Sequence, residues 1–102
     1  MAIFAAVQAP EKVKDTVREI VRKPYPKYKV IVLNDDFNTF EHVATCLMKY
    51  IPQMTEQTAW ELTTQVDAKG YAIVWVGPME QAELYHAQLK QEGLTMAPIE
   101  AE

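Results

Sequence analysis

The chain has 102 residues, 49% of them hydrophobic, and a formal net charge of −4. That length fits one domain with one core, and a single cysteine, Cys46, excludes an internal disulfide. No run approaches the ~20 apolar residues of a membrane span, and Met1 to Pro10 is too short for a signal peptide and lacks its basic start.

The charge is divided along the chain. Residues 1–29 carry seven Lys or Arg against three acids, and residues 30–102 carry three against eleven. An acidic body repels phosphate backbones, so nucleic acid is not an expected ligand and a cationic group is favoured. Ordinary solubility charge gives the same pattern.

Taken in order, Glu11 to Lys23 places Val13, Val17, Ile20 and Val21 on one helical face. Lys23-Pro24-Tyr25-Pro26 then breaks the helix, because each proline pushes the preceding residue out of helix geometry. Residues 1–26 read as a mobile extension and residues 27–102 as the domain. Tyr28 to Leu33 is β-branched and apolar, the signature of a central strand. Asn34, Asp35 and Asp36 follow at once, then the aromatic Phe37. Acceptors and negative charge beside an aromatic ring suit a donor-rich ammonium group. The same residues also build plain turns.

Asn38 or Thr39 caps a first helix, with Asn38 and Glu41 spaced as a capping box. Phe40, Val43, Ala44, Leu47 and Ile51 form its apolar stripe, and Pro52 ends it. Thr55 caps a second helix, with Glu56 in its first turn and Ala59, Leu62, Thr63 and Val66 facing inward. Lys69-Gly70 stops it. Tyr71 to Val76 is a second strand, and Pro78 suits the first position of a third helix. Ala82, Tyr85, His86 and Leu89 mark that helix's apolar side, and Gly93 stops it. Leu94 to Ile99 reads as a last short strand, with Pro98 pointing to a sheet edge. The expected fold is α+β, in the order β-α-α-β-α-β: a three-stranded antiparallel sheet packed against three helices.

Little here suggests catalysis. His42 and His86 fall on different helices, outside any zinc-type spacing, and each of the three glycines punctuates the end of an element. No cofactor and no resident metal are expected. Asp35, Asp36 and His42 are the donor set that a metal-assisted hydrolase would need. Cys46 sits in an apolar run and reads as a small core residue. Trp60 and Trp75 read as partly buried structure. Met48, Met54, Met79 and Met96 read as gap fillers, and Met54 stands beside the expected ligand groove.

Tyr28-Lys29-Val30-Ile31, Asn34-Asp35-Asp36, Phe40-Glu41-x-Val43 and Glu56 together resemble ClpS, the adaptor family of the ATP-dependent Clp protease. Gly70-x-Ala72 and Pro78-x-Glu80-x-Ala82-Glu83 fit as well, so the likeness covers roughly residues 27–99. It implies a non-catalytic, cytoplasmic, monomeric adaptor. Its substrates would be proteins that begin with Leu, Phe, Tyr or Trp, delivered to the N-terminal domain of a Clp AAA+ ATPase. Carried over by position, Asn34 and Asp35 would hold the substrate's α-ammonium and first peptide groups, and Asp36 would support their loop. Val32, Val43, Val66 and Leu94 would line the pocket for the first side chain. Glu80 and Glu83 would face the ATPase, and residues 1–26 would serve delivery.

The chain departs from the family at several positions. Phe40 stands where a methionine usually screens the pocket. Asp67 stands where the family has an ammonium-binding histidine, and Thr63 where a methionine shapes the pocket floor. Asn38 replaces a threonine. These departures suggest a divergent member of the family, with binding insensitive to pH between about 6 and 7.5, where a histidine would titrate. A regulatory ATPase partner with altered or lost substrate binding is the alternative within the same family.

Overall fold

The computed structural model describes residues 26–102. Apart from Pro26, the expected extension and its helix therefore lie outside the described residues. Among those described, the order is β1 (Tyr28–Leu33), α1 (Phe40–Tyr50), α2 (Glu56–Lys69), β2 (Tyr71–Gly77), α3 (Met79–Gln91) and β3 (Glu100–Ala101). This is the expected β-α-α-β-α-β succession. The strands form one antiparallel sheet in the order β2-β1-β3, with the β-branched β1 at its centre. A register shift between Val30 and Ile31 leaves Val74 of β2 as the extra residue.

Strand alternation sends Val30, Val32, Ala72 and Val74 into a core shared with Val43, Leu47, Ala59, Val66, Ala82 and Leu89 from the helices. Cys46 belongs to that core, and Trp60 and Trp75 pack partly buried against it. Ile31, Leu33, Tyr71 and Ile73 lie on a groove across the sheet's other side. Met54 and Met96 pack against the core, whereas Met48 and Met79 are exposed and fill no gap.

Local chemistry sets the boundaries. Thr39, not Asn38, caps α1: its side chain accepts from the His42 amide. Thr55 caps α2 in the same way through Thr58. Gly70 ends α2 at φ +93°, a left-handed turn that other residues adopt only with strain. Pro78 sits one place earlier than expected, as the cap of α3 rather than its first helical residue.

The last strand also differs from the reading of Leu94 to Ile99. Leu33 N–H donates to the Thr95 carbonyl, and Ala97 N–H to that of Ile31, with a single bridge from Val32 to Met96. The segment thus runs irregularly along β1. A regular ladder forms only past Pro98, where Glu100 and Ala101 pair with Lys29 and Tyr28. Proline lacks the amide that a continuous ladder needs.

Candidate functional site

The end of β1, the start of α1, the last turns of α2 and the segment after α3 converge on one narrow hollow. Its lining includes Asn34, Asp35 and Asp67, together with Val32, Phe40, Val43, Thr63, Val66 and Leu94. Leu33, Asn38 and Thr95 also line it, and none of these was a sequence-derived pocket candidate. Asp36 and Met54 are absent from the lining. Asp36 points to solvent, and Met54 packs against the core. The turn swings alternate side chains outward, and the start of α2 lies two turns from the part of that helix that reaches the hollow.

The loop after β1 is built around one carboxylate. Asp35 Oδ1 accepts the Phe37 and Asn38 amides at 2.9 Å each. Its Oδ2 accepts the Asn38 side-chain amide and the Thr95 hydroxyl, both at 2.7 Å. Four donors fill a carboxylate's acceptor capacity. The Asn38 amide foremost, with the Thr95 hydroxyl and Phe37 amide, holds the acid far below the usual carboxylate range, against an opposing effect of desolvation. Asp35 is thus a brace that ties the loop to the segment after α3. Asn38 completes the tie by donating to the Gly93 carbonyl at 3.0 Å.

Asn34 is fixed through its backbone, whose N–H donates to the Gly70 carbonyl at 2.9 Å. Its side chain and that of exposed Asp67 make no hydrogen bond to other described residues, so both present acceptors at the rim. Thr63 is buried, and its hydroxyl donates to the Ala59 carbonyl at 2.8 Å. That bond satisfies the hydroxyl inside α2, so the floor behaves as apolar despite the threonine. Phe40 stands half open at the mouth, its ring 6.2 Å from that of Trp60. The arrangement sets acceptors and negative charge on one side of an apolar depression.

The hydrolase donor set does not assemble. The Asp35 carboxylate is committed to its loop, and His42 Nε2 bonds the Glu92 carbonyl at 2.9 Å. His86 likewise bonds the Ala97 carbonyl at 3.0 Å. Glu80 and Glu83 are exposed on α3. No helix among the described residues is long and apolar enough to cross a membrane.

The family model for "ATP-dependent Clp protease adaptor protein ClpS" matches residues 23–99. The chain belongs to the ClpS family. The adapter protein ClpS of Thermosynechococcus vestitus is 68% identical over 93 residues, which span 91% of this chain and 99% of that protein. ClpS of a Synechocystis species is 66% identical over 96 residues, 94% of each chain. Among solved structures, Agrobacterium tumefaciens ClpS2 bound to L-phenylalaninamide superposes with a TM-score of 0.68 at 28% identity, over 78% of this chain and all of that one. The described fold is the ClpS fold, and the chain is an adaptor of the ATP-dependent Clp protease.

Proposed function

We propose that this ClpS-family chain captures proteins by their first residue, when that residue is bulky and hydrophobic, and hands them to a Clp AAA+ ATPase. One observation carries the reading: Asn34, Asp35 and Asp67 border the same hollow whose walls are Val32, Val43, Val66 and Leu94. A chain start brings an α-ammonium, mostly charged at neutral pH because its pKa lies near 7.7–8.0. It offers three N–H donors that no internal residue has. Leaving rim acceptors unmatched costs ~1–3 kcal/mol per lost bond, which separates a terminus from an interior segment. Burying a Leu or Phe side chain in the depression adds roughly 1.5–3 kcal/mol.

The structural relative is described as bound to L-phenylalaninamide, a free amine on a benzyl-bearing residue. That ligand is the minimal form of the group proposed here. Asn34 and Asp67 accept from the ammonium, and Asp35 acts by fixing the loop and through its charge. Asp36 contributes only long-range attraction, and Met54 has no contact with the side chain. Residues 27–102 form the adaptor core, with residues 1–26 serving delivery. Glu80 and Glu83 present charge to the ATPase. The chain acts as a cytoplasmic monomer without catalysis of its own.

Fluorescence anisotropy with peptides that differ only at the start tests this. A peptide beginning with Leu or Phe should bind, and its N-acetylated twin should lose roughly tenfold or more. Asn34→Ala should weaken binding about five- to thirtyfold while leaving the melting curve unchanged. Equal binding of free and acetylated peptides would sink the proposal.

A further inference from the structure

A second constellation lies outside the hollow, where the middle of α1 meets the end of α3. His42 and Cys46 are four residues apart on α1 and so share one of its faces. Glu92, which caps the end of α3, brings its carboxylate to that face. One ligand atom from each of the three lies within 4.8 Å of the others, and no other trio of His, Cys, Asp or Glu among the described residues is so placed. Cys46 Sγ lies 3.6 Å from His42 Nε2. A tetrahedral zinc ion, with bonds of about 2.3 Å to sulfur and 2.0–2.1 Å to nitrogen, sets those two atoms about 3.6 Å apart.

Glu92 is held in place by two neighbours on α1. Its Oε2 accepts the Tyr50 hydroxyl at 2.5 Å and the Lys49 ammonium at 3.4 Å. Such outer bonds orient a ligating carboxylate and leave its second oxygen available. One sulfur, one imidazole and one carboxylate favour zinc over magnesium or calcium, which prefer all-oxygen shells.

We propose that His42, Cys46 and Glu92 form a zinc-class metal site that clamps α1 to the end of α3. Loading it forms metal–sulfur, metal–nitrogen and metal–oxygen bonds, releases the thiol proton to solvent and admits water at the fourth position. The His42 ring exchanges its bond to the half-buried Glu92 carbonyl for the metal. The clamp fixes the chain directly before Leu94 and Thr95, which form one wall of the hollow.

The full, untagged chain, stripped of metal and kept reduced with a phosphine, is titrated with zinc by calorimetry and with cobalt(II) by absorbance. The expected result is one ion per chain, a thiolate-to-cobalt charge-transfer band and a higher melting temperature with zinc. Cys46→Ala should abolish the band, and Glu92→Gln, at a half-buried position outside the core, should weaken zinc about ten- to hundredfold. Circular dichroism identifies any variant that fails to fold. No stoichiometric binding by the parent overturns the proposal, as does zinc binding of unchanged strength in either folded variant.

Discussion

Replacing Asp35 tests the bracing role of the loop carboxylate. Asp35→Ala removes the acceptor for the Phe37 and Asn38 amides, the Asn38 side chain and the Thr95 hydroxyl together. A hydrogen bond to a charged group contributes ~1.5–3 kcal/mol when buried. The loop is open to water, which rescues the stranded donors and cuts this to ~0.5–1 kcal/mol per bond. Four bonds then predict a loss of ~2–4 kcal/mol. Asp35→Asn keeps one oxygen but turns an amide toward donors, for ~1–2 kcal/mol.

Urea unfolding at neutral pH measures both variants, with an unchanged slope showing that the transition keeps its character. A pH series adds a second reading. Unfolded, the acid takes its proton near the ordinary value of 3.8; folded, it resists protonation to far lower pH. Its contribution is complete above the unfolded value and is lost as pH falls toward the folded one. The gap between parent and Asp35→Asn should therefore be constant near neutrality and shrink below about pH 4. A loss under about 0.5 kcal/mol for Asp35→Ala, or a gap that widens in acid, would refute the bracing role.

Asp67→His places an imidazole with an ordinary pKa near 6.5 at the rim, so peptide affinity of the variant should fall from pH 7.5 to 6 as the ring gains charge and repels an ammonium. The parent serves as reference in the same anisotropy series. Gly77→Ala forces a methyl group into the Trp75 indole, whose ring packs edge-on against Tyr85 at 4.9 Å. Thermal melts should show a loss of ~1–3 kcal/mol and an altered tryptophan spectrum. Leu47→Ala empties a fully buried site between α1 and its neighbours, and urea titration should show a loss of ~2–5 kcal/mol.

How far the sequence foretells this fold follows from the range of the interactions. The strand at Tyr28 to Leu33, the Thr55 cap and the Gly70 stop are set by neighbours a few residues away, and the structure has them where propensity puts them. Phe40, Val43, Thr63, Val66 and Asp67 occupy regular helical positions, so their placement around one hollow follows once the helices pack. Asn38 shows the limit. Its spacing to Glu41 suggests a cap, but its amide is spent on Asp35 and on Gly93, 55 residues away. Thr95 bonds Asp35 across 60 residues, and no local pattern announces such a partner. The final strand failed for a related reason: Leu94 to Ile99 has strand-like composition, yet its backbone is engaged one residue at a time until Pro98 is passed. Nor does the sequence alone bring Glu92 to His42 and Cys46, since that meeting depends on how α3 ends against α1.

Because β1 lies in the middle of its sheet, the residues that precede Tyr28 enter the domain through its most enclosed strand. Tyr28 is paired on one side with Gly77 and on the other with Ala101, and the Glu102 amide also bonds the Lys27 carbonyl. Tension applied along the chain from that end loads both seams in shear, so their bonds must yield together rather than unzip one by one. Pulling the molecule by that end would therefore meet its first resistance at β1, where two neighbouring strands hold it.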